Sequence, residues 1–265
     1  MHLPSASNRQ QTLLRKLNRK KYRYKERLFL IEGARAVQQV VANNSVRIKV
    51  LFFDESKRYW EQEDWREVIS EFDTAMVSQE LFREVSDTDT PQGVLALCHM
   101  PEEATVDHLA SKSGLIVALD GLQDPGNLGT IIRTAGWFNI SGIISGKGTV
   151  DMFHPKVVRG TAGATGTIPF MNGELPEVFD TMEHKNWQIF LLDAGAGAKA
   201  LNEVTSIEKG VIVVGNEGHG IDDGLMTGER NRVKIPSPVG VDNVESLNAA
   251  IATSIALYDL SAKVG

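Results

Sequence analysis

Apolar residues along this chain recur in two rhythms, short continuous runs and longer stretches at helical spacing, and the two alternate almost from end to end. Residues 10–26 can form a helix, residues 28–31 a short strand closed by Glu32 and Gly33, and residues 34–42 a helix with Val37, Val40 and Val41 on one face. A strand at 49–53 runs into an Asp54-Glu55-Ser56 cap, and a helix carrying Trp60 and Trp65 follows at 59–70. Next come a strand at 74–77, a helix at 79–85 opened by Ser78, and a strand at 93–98. Such alternation predicts a small α/β domain over residues 1–100.

A polar stretch, residues 101–113, reads as a linker, after which the alternation resumes over 114–265. Strands are expected at 115–119, 142–144, 187–192, 211–214 and 233–235, with helices at 128–138 and 155–162 and others between the later strands. The final segment, 247–260, is helical and apolar almost all round, which suits a core or an oligomer interface rather than a wet surface. The fold class is therefore α/β, with a second domain whose sheet is mostly parallel.

Composition narrows the setting. An apolar content of 42% supports an ordinary core. The single cysteine, Cys98, excludes an internal disulfide and fits a reducing, cytoplasmic location. The histidines lack metal-ligand spacing, so no metal is expected. No apolar run is long enough to span a bilayer, and the basic N-terminus has no apolar core behind it, so neither a membrane segment nor a secretory signal is expected.

Charge changes the picture further. The net charge is −6, yet residues 1–31 carry nine cations against Glu26 alone, a local +8 that leaves −14 on the rest. Local charge sets contact with a polyanion, so Arg15, Lys16, Arg19, Lys20, Lys21, Arg23, Lys25 and Arg27 are candidate RNA contacts. Tyr22 and Tyr24 stand among them, where rings could stack on bases.

Three strand-end loops hold the candidate chemistry. Strand 115–119 leads through Gly121, Pro125 and Gly126 to Asn127, placed to cap a helix, and on to Arg133. Strand 211–214 leads into Gly215-Asn-Glu217-Gly-His-Gly220. Strand 233–235 leads into a Pro-rich loop that reaches Ser246-Leu247-Asn248, with Ser246 a candidate cap for the last helix. Open α/β sheets keep their ligands at the carboxyl ends of strands. Neither a phosphate loop at Gly146-Lys147-Gly148-Thr149 nor a dinucleotide signature is complete.

Asn127-x-Gly-x-x-x-Arg133, Gly215-x-Glu217-Gly, and Ile235-Pro followed by Ser246-Leu-Asn248 resemble the three ordered motifs of the SpoU family of RNA ribose 2′-O-methyltransferases, in the SPOUT superfamily. The Pro155-to-Arg159 segment with Ala162-Gly-Ala164, and the basic front end with its Glu32-Gly33 turn, are similar to the family as well. The resemblance implies an RNA substrate-binding front domain, a C-terminal domain with a deep trefoil knot, bound S-adenosylmethionine and a homodimer. By motif position Gly215, Ile235 and Leu247 would hold the methyl donor, while Asn127, Arg133, Glu217, Ser246 and Asn248 would form the catalytic set. The two-domain layout favours large-subunit ribosomal RNA over transfer RNA. A non-catalytic RNA-binding factor on the same fold is the alternative of another class, and an enzyme of small metabolites fits poorly with the basic arm. Two departures from the family stand out: a long loop between Ile235 and Leu247, and Thr165-Gly-Thr167 where bulkier apolar residues are usual.

Overall fold

The computed structural model describes residues 3–195, 197–227, 230–237, 244 and 246–265. The chain forms two compact units, the first built from residues up to Glu102 together with Asp151–Thr167, the second from Glu103–Val150 and Ile168–Gly265.

The front unit begins with α1 (Asn8–Leu17) and α2 (Lys20–Glu26), continues through β1 (Leu28–Glu32), α3 (Ala34–Asn43), β2 (Ile48–Asp54), α4 (Glu63–Glu71), β3 (Thr74–Val77) and α5 (Gln79–Val85), and closes its sheet with β4 (Val94–His99). The strand order is β1-β4-β2-β3, with β4 antiparallel to both neighbours and β2 parallel to β3. Its core includes Phe52, Phe82, Leu14, Leu17 and Leu95.

The helix expected over 10–26 is broken at Asn18 and Arg19. Arg23 bridges the break: its Nη1 donates to the carbonyls of Leu17 (2.8 Å) and Asn18 (3.0 Å), while Nη2 meets Asp151 Oδ2 at 2.5 Å. Tyr24 donates to the other oxygen of the same carboxylate at 3.0 Å.

The second unit starts with α6 (Val106–Ala110), which lies in the stretch read as linker, followed by β5 (Gly114–Leu119), α7 (Pro125–Trp137) and β6 (Gly142–Ser145). The chain then supplies α8 (Pro155–Gly160) to the front unit. The second unit resumes with β7 (Phe170–Asn172), α9 (Leu175–His184), β8 (Gln188–Leu192), β9 (Lys199–Ala200), β10 (Lys209–Val214), β11 (Asn231–Lys234) and α10 (Ala249–Ser261). Seven strands lie in the order β7-β6-β5-β10-β8-β11-β9, every pairing parallel. Strands such as Gly-Leu-Ile-Val-Ala-Leu are apolar along their whole length because helices cover both faces of a parallel sheet.

Around α8, Thr165 is buried, and its hydroxyl pairs with that of Thr161 at 2.7 Å. The adjoining Gly166 takes φ +80°, and a Cβ there would lie 2.4 Å from Val46. A small polar turn therefore fills the place where the family pattern suggested apolar bulk.

Candidate functional site

Strand order reverses direction at β5 and β10. From β5 the chain adds β6 and β7 on one side, and the later strands fill the other side, which makes the seam between β5 and β10 the crevice where such sheets bind ligands. Leu119 is level with Val214 in the register, so the loops after the two strands leave side by side.

The first loop enters α7 one turn earlier than the apolar pattern indicates. Asp124 is the cap, its Oδ1 accepting from Asn127 N at 2.8 Å, and Pro125 occupies the first helical position, where its missing N–H costs nothing. Asn127 is thus inside the first turn and is not the cap, which frees its side chain. Its Nδ2 donates to Glu217 Oε1 at 2.9 Å, and its Oδ1 accepts from Asn248 Nδ2 at 2.9 Å. Asn248 in turn caps α10 through Oδ1, accepting from the N–H groups of Ala250 (3.0 Å) and Ile251 (3.2 Å). Ser246, the other candidate cap, is exposed two residues before it.

The second loop is closed on itself by paired backbone hydrogen bonds between Asn216 and Gly220, at 2.8 and 2.9 Å. Gly215 allows this closure, since a Cβ there would lie 2.3 Å from the carbonyl carbon of Gly220. Asn216, which sequence reasoning passed over, organises the loop: Nδ2 donates to Gly121 O at 2.7 Å and Oδ1 accepts from Gly218 N at 2.8 Å. Glu217 also accepts from the backbone N–H groups of Gln123 and Asp124, each at 3.2 Å. Burial raises the proton affinity of this carboxylate, but the donors, Asn127 first, outweigh that and leave its pKa below the ordinary glutamate range. It is an anion that ties one loop to the other.

Of the nominated catalytic residues, Asn127, Glu217 and Asn248 therefore form one continuous network. Arg133 is exposed and has no ion pair among the described residues. Six residues beyond Asn127, it is turned about 120° round the helix from that network. It shares the outer face of α7 with Trp137, which is 84% exposed.

Gly215 and Ile235 follow the parallel strands β10 and β11, and Leu247 immediately precedes α10. The exposed side chain of Leu247 and the half-buried Ile235 are apolar. None of the three positions carries a charged side chain. The long loop noted after Ile235 lies mostly at 238–243 and 245, outside the described residues.

In the front unit, Arg15, Lys16, Arg19, Lys20, Lys21, Lys25 and Arg27 are exposed as expected, Arg15 paired with Glu84. Arg23 is only 2% exposed and is withdrawn from the candidate RNA contacts, its guanidinium spent on Asp151 and the two carbonyls. Lys16 lies over the ring of Tyr22 and Lys20 over that of Tyr24, so both rings carry cations. Cys98 is buried, its thiol pKa pushed up by desolvation, and no group of potential metal ligands occurs among the described residues.

Residues 114–258 match the SpoU rRNA Methylase family, and residues 8–96 match the MRM3-like substrate binding domain. The chain is 32% identical over 262 residues to the 23S rRNA (guanosine(2553)-2′-O)-methyltransferase RlmP of Bacillus subtilis, covering 97% of this chain and 98% of that one. The AdoMet-bound rRNA methyltransferase from Sinorhizobium meliloti superposes with a TM-score of 0.81 at 27% identity, over 97% of this chain and 95% of the other. The SpoU methyltransferase AviRb from Streptomyces viridochromogenes, at 23% identity, shares the fold with a TM-score of 0.82 over 97% of this chain and 98% of that one.

Proposed function

Because the chain belongs to the SpoU rRNA methylase family, we propose that it transfers a methyl group from S-adenosylmethionine to a ribose 2′-hydroxyl of large-subunit ribosomal RNA. The observation that carries this reading is the junction of Asn127, Glu217 and Asn248, which links three motif segments at the carboxyl ends of β5 and β10. Gly215, Ile235 and Leu247 fit the donor's uncharged surfaces, and the family's trefoil knot belongs to the same reading.

When bound, S-adenosylmethionine supplies an electrophilic methyl group on a sulfonium. The chain's own residues must then hold the ribose in line and favour loss of the hydroxyl proton. Asn127 is oriented from both ends of its amide, so it serves as a fixed positioning group. Glu217 holds the two loops in register, and Asn248 connects them to α10. A guanidinium is a permanent cation rather than a base, so the role of Arg133 is to stabilise the developing alkoxide or clamp the neighbouring phosphate, while the proton leaves through water or another group. Ser246 is assigned to organising the loop before α10.

A homodimer is part of the proposal. Ile251, Ile255 and Tyr258 form an exposed row on α10, beside α7 with its Trp137, and such a face is covered in a stable protein. Arg133 stands on the α7 side of this surface and would complete the partner's site. The protein is assigned to the cytoplasm; no described helix is long and apolar enough to cross a membrane.

Incubation with labelled S-adenosylmethionine and unmodified large-subunit ribosomal RNA should place label on one ribose. A folded protein that binds both and transfers nothing would sink the enzymatic reading in favour of a binding factor.

A further inference from the structure

We propose that the front unit holds a second contact for the phosphate backbone of RNA, separate from α1 and α2, at the sheet end where β2 begins and β4 finishes. Arg47 and Lys49 carry it, with His99 and the backbone of Arg27, the residue that ends α2, beside them. It rests on the RNA-methylating reading above.

The antiparallel register gathers these residues. Leu28 pairs with His99 and Ile48 with Cys98, so the starts of β1 and β2 flank the end of β4. Met100 N donates to Arg27 O and His99 N to Arg47 O, both at 2.9 Å, which fixes the two arginine backbones on either side of β4. At ordinary strand spacing they lie roughly 10 Å apart. The register then shifts between Ile48 and Val50, making Lys49 an inserted residue; such bulges re-aim a side chain at a sheet's margin.

The charge of Arg47 and Lys49 is not used internally. Arg15, Arg23, Arg58 and Arg159 of this unit each have a carboxylate partner, whereas Arg47 and Lys49 are exposed with no ion pair among the described residues. Glu26 and Glu102, the nearest acids along the chain, pair with none of the cluster among those residues. The imidazole of His99 senses the crowding: after desolvation, Arg47 and Lys49 are what make it harder to protonate.

The surface also lacks the apolar anchors on which stable protein interfaces and membrane insertion rest. Every exposed large apolar side chain among the described residues, from Trp137 to Tyr258, belongs to the second unit. Tight protein interfaces and inserted membrane helices are centred on apolar anchors. A phosphodiester backbone needs only placed cations, and such contacts set position without reading sequence.

The test is binding of the full-length protein to an in vitro transcript of large-subunit ribosomal RNA over a range of salt, comparing wild type, R47E/K49E and R47Q/K49Q. Loss of two phosphate contacts should lower the slope of log affinity against log salt by about 1.4–1.8 and weaken binding roughly tenfold or more near 0.15 M salt. The thermal midpoint and the affinity for S-adenosylmethionine should stay at wild-type values. The glutamine pair, which introduces no repulsion, decides the matter if the charge reversal perturbs folding. Wild-type slope and affinity in the glutamine pair would overturn the second contact while leaving the parent reading intact. A wild-type protein that neither binds nor methylates the RNA would overturn both.

Discussion

Glu217 is the residue on which the site's geometry converges, because three donors from the first loop and the opening turn of α7 meet its carboxylate. Glu217→Gln keeps the shape but replaces one oxygen with an NH₂ that faces donors. The expected cost is roughly ten- to thirtyfold in kcat/KM, the size of one partly exposed charge-assisted hydrogen bond. Because the folded-state pKa lies below the ordinary value, the stabilisation from ionised Glu217 is fully present above roughly pH 5 and is lost as pH falls through the lowered folded value. Donor affinity measured against pH should therefore be flat through the neutral range and fall only in acid, and the glutamine variant should lack that acid limb. An identical acid limb in the variant would show that another group supplies it. The neighbouring Asn127 shows how far sequence reading reached at this scale. Its importance was legible from the motif, but its capping role was not correct, because Asp124-Pro125 already supplies the cap and the first helical residue.

At the scale of elements, the basic arm separates into cations that face outward and one that does not. Arg23→Met strands the Asp151 carboxylate in the interior and removes the donors that fix the break between α1 and α2. Breaking a buried pair from one side costs about 3–5 kcal/mol, so the denaturation midpoint should fall sharply while the salt dependence of RNA binding stays unchanged. Lys20→Glu with Lys21→Glu should do the reverse: weaker, less salt-sensitive RNA binding at an unchanged midpoint. Denaturant titration and filter binding on the same preparations distinguish the two. The strands and most helices were legible because their apolar periodicity is local. The break at Asn18 was not, since the side chain that satisfies its carbonyls is held by an ion pair to a residue 128 positions away. For the same reason nothing local marks Asp151–Thr167 as belonging to the front unit: an amphipathic α8 does not say which core it will join.

At the scale of the whole molecule, α10 explains why its sequence looked apolar on every side. Ala250, Ala256, Leu257 and Leu260 are buried within the unit, while Ile251, Ile255 and Tyr258 remain exposed, so one helix has both a core face and an uncovered face. If two copies cover that face, Ile255→Glu with Tyr258→Glu should yield a monomer by light scattering, with methyl transfer reduced far more than donor binding. Helical geometry then makes a sharper claim, because Arg133 points away from its own Asn127 network and lies on the same face of α7 as the exposed Trp137. Arg133→Ala and Asn127→Ala should each be nearly inactive alone. When equal amounts are mixed and allowed to exchange subunits, half the dimers are mixed, and each mixed dimer has one site with both residues intact. About a quarter of wild-type activity should return, the value that twofold symmetry dictates for residues supplied by opposite protomers. If Arg133 served the site of its own chain, every site in the mixture would carry a lesion and activity would stay at the level of the single variants.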